Sequence, residues 1–293
     1  MSATAEPLAT SATPARTKRA RRPGRGPLAW LRRHALSIYA TLALIYLFLP
    51  IAVVIAFSFN EPKGRFNYTW EGFTLQNWLH PFDVPGIQDA ITTSLEIAVI
   101  ASLAATTMGA LIALAIARYQ FRGRGLINTL IFLPMTTPEI VMGSSLLTLF
   151  LNQGVNTGFG TIVIAHIAFN ISYVVVTVKA RLAGFDRHLE EAAMDLGANE
   201  WVTFRKVTLP LIAPGVISAG LLAFALSIDD FVITYFNSGS TVTFPLFVWG
   251  SARVATPPQI NVIGSMIFIL AVGGMLVNVA VQYQRAKRAS ATA

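Results

Sequence analysis

The sequence predicts an all-α, polytopic membrane protein with about six transmembrane helices, and three observations lead to this fold class. Of the 293 residues, 54% are hydrophobic and only 12% are charged, whereas soluble proteins carry about 25% charged residues. Several apolar stretches reach the length of about 20 residues that crosses the hydrocarbon core as a helix. Most Lys and Arg residues gather in alternate connections between those stretches, which is the distribution that orients membrane helices.

The first element, residues 1–35, is a basic segment in which Arg and Lys alternate with Pro and Gly. This composition predicts a disordered tail. The apolar stretch 36–59 is longer than the core of a signal peptide, about 7–15 residues, and no A-x-A site closes it. We therefore predict that 36–59 is retained as the first transmembrane helix. Two roles of the tail stay open, namely orienting the chain and binding anionic lipid head groups.

The other predicted spans follow a long loop, residues 60–89. They are 90–117, 126–151, 161–183, 211–236 and 260–283. Each is apolar on all sides over a membrane-spanning length, which distinguishes it from the amphipathic helices of soluble proteins. The loop carries Trp70, Phe73 and Trp78. These side chains are predicted either to anchor the loop at the membrane interface or to form a docking surface for an extracytoplasmic partner.

The positive charges place both termini in the cytoplasm. With this orientation, nearly all Lys and Arg residues lie on the cytoplasmic side, in the tail 1–35, two internal connections and the C-terminal tail 285–293. The opposite side holds Lys63, Arg65 and Arg253. The net charge of +8 is therefore explained by topology, and nucleic acid is not an expected partner.

Four acidic residues lie inside predicted spans, where an ionisable group is costly and predicts a function. They are Glu96, Glu139, Asp229 and Asp230. No basic residue shares those spans at a similar depth, so the sequence predicts a path for a cationic solute, with Phe231 adding a cation–π contact.

Other interpretations of these acids stay open. Glu96 lies near the predicted interface, and Pro138 marks either a kink or an interrupted helix of a transport site. Asp229 and Asp230 point about 100° apart on a helix, so one of them is an alternative helix cap or a contact with a sister subunit. His166 also lies in a span and is predicted to be a packed, neutral residue.

The connection 184–210 combines charged residues with helical periodicity. Its first half has one apolar face, made of Leu189, Ala192, Ala193 and Leu196. Gly197 is predicted as a left-handed cap, Asn199 as the N-cap of a second short helix, and Pro210 as the end of that helix. The product is a two-helix hairpin whose small-residue face suits a groove on another protein.

This hairpin resembles the EAA loop of type I ABC-importer permeases, whose pattern is EAA-x3-G-x9-I-x-L-P. The matching residues are Glu191-Ala192-Ala193, Gly197, Val207 and Leu209-Pro210, with Val207 in place of the usual Ile. The resemblance implies the permease fold over 90–284, with 184–210 as the loop that couples to an ATPase. The coupling residues implied are Leu189, Glu191, Ala192, Ala193, Leu196, Gly197, Leu209 and Pro210.

The resemblance also implies the partners: a cytoplasmic ATPase dimer, a second, non-identical permease, an extracytoplasmic solute-binding protein and the lipid of a bacterial inner membrane. The chain has no G-x-x-x-x-G-K-[ST] motif, so we expect Mg-ATP and its hydrolysis on a separate chain. No cofactor or metal site is expected on this chain, because it has no Cys and its four His residues are scattered.

Several further stretches resemble the spermidine/putrescine permeases, in particular the second permease of the pair. They are 119–124, 138–142, 145–150, 174–186 and 227–231. This resemblance implies polyamine import. The alternatives are import of another small solute, such as a different amine, an opine-like compound or an iron complex, then an ion-coupled secondary carrier, and finally a membrane scaffold that transports nothing.

Overall fold

The computed structural model describes residues 27–186 and 188–291, so most of the predicted N-terminal tail lies outside the described residues. The described residues form helices without a β-strand. The first six helices are α1 (Pro27–Phe57), α2 (Gln76–Leu79), α3 (Ile87–Arg118), α4 (Arg124–Thr136), α5 (Glu139–Asn152) and α6 (Phe159–Ala183). The others are α7 (His188–Asp195), α8 (Glu200–Thr203), α9 (Leu209–Asp229), α10 (Val232–Asn237), α11 (Phe244–Val254) and α12 (Pro258–Ala291), with a π-helical turn, Phe204–Thr208, between α8 and α9.

Five helical segments are long and apolar enough to cross a membrane. They are His34–Phe57, Ile87–Arg118, Phe159–Ala183, Glu200–Asp229 and Pro258–Val281. The bent pair α4 and α5 makes a sixth if it counts as one span. The predicted all-α fold with about six membrane helices is therefore confirmed. The greater part of α1, up to Val53, forms a unit of its own, and its apolar side chains are largely exposed.

The predicted third span, 126–151, is wrong as a single helix. It breaks at Thr137, and α4 and α5 meet at an angle of 108°. Pro138 explains the break, because it disfavours helical geometry in the preceding residue, and Thr137 is extended with ψ of 133°. Pro138 then accepts hydrogen bonds at its carbonyl from the amides of Val141 and Met142, which starts α5 in a new direction.

The core of the second unit is the packing of α3, α6 and α9 against one another. Its contacts are made largely by small and β-branched residues, which allow helix backbones to approach closely. The fully buried members include Ala105, Ala113, Val174, Val178, Ala219 and Ala223. Gly109 allows α3 to approach α6 closely, since a Cβ atom there would lie 2.7 Å from Cγ1 of Val174.

The predicted end of the hairpin at Pro210 is also wrong, because α8, the π turn and α9 form one continuous helical segment, Glu200–Asp229. Pro210 has no N–H to donate to Lys206 and its ring crowds that carbonyl. The helix continues through a wider turn, in which Leu209 N–H donates to the Phe204 carbonyl. Such π turns are a known way for a helix to absorb an irregularity.

The predicted fifth span, 211–236, ends earlier than expected. α9 stops at Asp229, Asp230 is extended with ψ of 122°, and the short helix α10 follows. The chain therefore changes direction at the two adjacent aspartates.

The predicted loop 60–89 is more ordered than its composition suggests, since it contains α2 and the start of α3. Asn60 is fully buried; its amide donates to Asn67 Oδ1 at 2.6 Å, and Asn77 donates to the Asn60 carbonyl at 2.8 Å. Trp78 and Phe73 both stack on Phe59, just before the loop, at 5.2 and 5.6 Å between ring centroids. Trp70 and Phe73 stay exposed, so the anchor and docking interpretations apply to these two side chains.

Candidate functional site

The connection 184–210 forms a hairpin of two helices, as predicted. α7 is followed by a left-handed residue, Gly197, with φ of +88°, and Ala198 N–H donates to the Ala193 carbonyl at 3.1 Å. The second arm begins at Asn199, whose Oδ1 accepts a hydrogen bond from Val202 N–H at 2.8 Å. The predicted cap at Gly197 and N-cap at Asn199 are both confirmed.

The hairpin presents an apolar surface that the described part of this chain does not cover. No residue of α7 is buried. Leu196 is 90% exposed and Leu189 48% exposed, and Ala192 is exposed beside them. Trp201, at the start of α8, is 66% exposed, and sequence reasoning missed it although an exposed Trp is typical of an interface anchor.

The base of the hairpin is held by a cluster that sequence reasoning also missed. Arg118, the last residue of α3, forms an ion pair with Glu190 of α7. Both side chains also contact the hydroxyl of Thr208, at the end of the π turn. The motif residue Glu191, by contrast, is exposed and pairs with His188 one turn away.

The Asp230 side chain is buried and lies against His166, so the expectation that no basic residue lies close to it is wrong. Its Oδ2 lies 3.2 Å from His166 Nε2, and the two side chains are 5% and 3% exposed. Asp230 Oδ2 also accepts hydrogen bonds from the backbone N–H of Thr234 at 2.8 Å and from its hydroxyl at 2.9 Å. One aspartate therefore does satisfy the start of a broken helix, as one alternative held: Asp230, one residue before the N-cap position of α10, accepts hydrogen bonds from N–H groups of its first turn.

His166 completes this buried cluster from the neighbouring helix α6. Its Nδ1 lies 2.7 Å from Ser227 Oγ and its Nε2 lies 2.9 Å from Thr234 Oγ1. The prediction that His166 is a packed residue is confirmed. The cluster joins α6, the end of α9 and α10, so it fixes the geometry of the helix break.

Asp229, on the other side of the break, is exposed and lines a groove of about 410 Å³. Most of the groove wall is apolar or aromatic and includes Phe231, Phe244, Val248 and Trp249. The rings of Phe231 and Trp249 lie 5.2 Å apart. The guanidinium of Arg253 lies 4.6 Å from the centroid of the Trp249 ring, so a cation already occupies one aromatic face. The structure thus brings predicted residues Asp229 and Phe231 together.

The other two predicted acids do not join this groove. Glu139 is the first residue of α5 and Glu96 lies within α3; both are exposed. Among the described residues, neither forms an ion pair or lines the groove of Asp229. Sequence depth alone grouped them with Asp229, but neither belongs to the wall of its groove.

A comparison with protein families matches residues 105–289 to the model described as "Binding-protein-dependent transport system inner membrane component". The chain belongs to this family. It is therefore a permease subunit, and its membrane helices make it a multi-pass inner-membrane protein.

Relatives of this permease share most of its length. The spermidine/putrescine transport system permease protein PotC of Haemophilus influenzae is 38% identical over 226 residues, 77% of this chain and 87% of that protein. PotC of Escherichia coli strain K12 is 38% identical and covers 79% of this chain and 88% of its own. The putrescine permease PotI of the same strain is 36% identical over 77% of this chain and 83% of its own.

Solved structures support the permease fold. A bacterial ABC transporter involved in the import of the acidic polysaccharide alginate matches with a TM-score of 0.61 and 16% identity, over 89% of this chain and 99% of that one. An amino acid ABC transporter matches with a TM-score of 0.52 and 17% identity, over 73% and 99%. The predicted ABC-importer permease fold is confirmed.

Proposed function

We propose that this permease imports polyamines such as spermidine and putrescine. The observation that carries the substrate class is the groove in which exposed Asp229 lies beside the rings of Phe231 and Trp249. The 36–38% identity to permeases named for spermidine and putrescine supports the same class.

The groove suits a polyamine on physical grounds. A polyamine alternates ammonium groups with methylene chains, so it needs negative charge and apolar surface within a few ångströms. Asp229 supplies the carboxylate, and an aromatic ring attracts a cation over its face, by about 0.5–2 kcal/mol depending on desolvation. Phe244 and Val248 provide apolar surface for the methylene groups. An anionic or neutral solute would leave Asp229 without a partner in the membrane, which is costly.

The transport cycle that we propose uses ATP on separate chains. The hairpin 184–210 would enter a groove on a cytoplasmic ATPase dimer, with both termini of the permease on the same side. A second, non-identical permease would complete the path, and an extracytoplasmic binding protein would deliver the solute. The uncovered apolar side chains Leu189, Leu196 and Trp201 support a protein partner at the hairpin. Closure of the ATPase dimer would then rock the helices between inward-open and outward-open states.

Uptake of labelled spermidine and putrescine tests the proposal in a strain that lacks this chain, with and without the gene restored. We expect restored uptake that unlabelled polyamines compete away. Uptake should stop when ATP is depleted and persist when an uncoupler removes the proton gradient while ATP stays high. Collapse with the uncoupler alone would instead identify an ion-coupled carrier. No polyamine uptake, with a co-purifying ATPase, would keep the permease and discard this solute class.

A further inference from the structure

We propose that Glu190 is the positioning residue that transmits movement of the hairpin to the membrane helices. The inference rests on the proposed function, because it assumes that an ATPase moves the hairpin. Glu190 and its neighbour Glu191, which belongs to the motif, have different surroundings: Glu190 contacts Arg118, whereas Glu191 is exposed.

Glu190 lies where three segments of the chain meet. Its Oε1 accepts hydrogen bonds from Arg118 at the end of α3 and from the hydroxyl of Thr208 at the end of the π turn. Arg118 Nη2 also donates to Thr208 Oγ1 at 2.9 Å. The Glu190 side chain is 12% exposed and that of Arg118 26%, while Thr208 is fully buried.

The contact of Glu190 with Arg118 differs from the other contacts of α7. No residue of α7 is buried, and the contact between His188 and Glu191 stays within the helix. Among the described residues, Glu190 is thus the side chain of α7 that forms an ion pair with a membrane-spanning helix. A partly buried, charge-assisted contact of this kind is stronger than an exposed ion pair.

Of the two helices that meet at Glu190, α9 ends in the groove of Asp229, and α3 contacts a residue of the groove wall. α3 is one unbroken helix of 32 residues, about 48 Å long at 1.5 Å per residue. Near its start, Ser94 Oγ accepts a hydrogen bond at 2.8 Å from the N–H of Phe244, a groove residue. α9 runs from the residue after Thr208 to Asp229 itself. A displacement of Glu190 therefore acts on two helices, one that ends in the groove and one that contacts its wall.

The first experiment measures a nucleotide-driven change at the groove that does not depend on the solute. The chain has no cysteine, so Ala252→Cys introduces a single reactive thiol at the groove wall. The complete complex, with both permeases, the ATPases and the binding protein, is labelled with a maleimide with and without ATP and vanadate. Glu190→Gln is compared with Asp195→Asn, which removes an exposed acid from the same helix.

We expect nucleotide to change the labelling rate in the parent and in Asp195→Asn. In Glu190→Gln this change should shrink by about tenfold, within the usual range of coupling between sites, while the ATPase still co-purifies. The opposite-charge pair Arg118→Glu with Glu190→Arg should recover part of the response that each single change loses. That recovery requires the two side chains to act on each other.

Three results would overturn the proposal: an unchanged response in Glu190→Gln, no recovery in the charge-reversed pair, or loss of the ATPase from Glu190→Gln, which would make Glu190 a docking residue only. Failure of the polyamine assignment is distinguishable, because the nucleotide response would persist in a parent complex that transports no polyamine.

Discussion

Two adjacent aspartates with opposite surroundings define the proposed path at the level of single residues. Asp230 points into a buried cluster with His166 and Thr234, whereas Asp229 is exposed in the aromatic groove. Asp230 therefore holds the helix break in place, and Asp229 is the carboxylate available to a cation. This division of roles leads to two separate predictions.

The change Asp229→Asn should lower polyamine uptake without lowering stability. The amide keeps the shape of the side chain but removes the charge that faces the ammonium group, so we expect a loss of at least about tenfold in uptake, equal to about 1.4 kcal/mol. Initial uptake rates over a range of spermidine concentrations, with thermal unfolding in detergent as the control, check this. Unchanged uptake by Asp229→Asn would remove the groove from the proposed path.

The change Asp230→Ala should instead destabilise the protein. It leaves His166 buried without its acidic partner and removes the acceptor for the N–H of Thr234 in α10. Leaving a buried polar group unsatisfied costs about 1–3 kcal/mol. We expect a lower midpoint in thermal unfolding for Asp230→Ala than for Asp229→Ala. A double-mutant cycle with His166→Gln measures the interaction itself, and additive effects would contradict a direct pair.

At the level of elements, glycines decide where helices turn and how closely they pack. Gly197 has φ of +88° with open space around it, so a substitution there meets only the backbone penalty. At Gly109 the restriction is steric: its backbone is helical, but the side chain of Val174 fills the space that a Cβ atom would need.

Gly197→Ala should weaken the coupling between the ATPase and the permease, because it should change the direction of the hairpin. An Ala in the left-handed region costs about 1–2 kcal/mol, so the turn between α7 and α8 should shift to relieve it. Co-purification of the ATPase and solute-stimulated ATP hydrolysis should both fall, while thermal stability of the membrane helices stays the same. Gly64→Ala, also in open space but without a positive φ, is the matched control and should behave as the parent.

Gly109→Val should disrupt the packing of α3 on α6. The added atoms overlap the side chain of Val174, and overpacking of this kind costs about 1–3 kcal/mol. We expect a lower yield of folded protein and a lower unfolding midpoint. Val174→Ala should restore part of the loss in the double variant, and the absence of any such rescue would mean that the contact between these two residues is not the cause.

The elements also show which features the sequence can predict. Apolar length was sufficient for the approximate number of membrane helices, and local turn chemistry was sufficient for the caps at Gly197 and Asn199. The direction of α5 after Pro138 was not predictable, because a proline indicates a break but not its angle of 108°. The pairs of Asp230 with His166 and of Glu190 with Arg118 join distant segments, so no local pattern reveals them.

For the whole molecule, the fold separates the proposed coupling surface from the proposed path by the length of the membrane helices. The base of the hairpin, at Arg118, Glu190 and Thr208, lies at one end of α3 and α9. The groove of Asp229 lies where α9 ends, close to the start of α3. An importer that couples ATP hydrolysis on one side of the membrane to solute entry on the other needs these two sites to be apart. The proposed assignment of each site to its side depends on the orientation of the chain.

Accessibility to a membrane-impermeant maleimide tests that orientation directly, since the chain has no cysteine of its own. Lys63→Cys lies in the loop before α2, and Glu200→Cys lies in the hairpin; both positions are exposed. Charge bias predicts the loop outside and the hairpin inside. We expect Lys63→Cys to be labelled in spheroplasts and Glu200→Cys only after the membrane is permeabilised. The reverse pattern would place the hairpin away from cytoplasmic ATP, and neither the proposed ATPase contact nor the role of Glu190 would then stand.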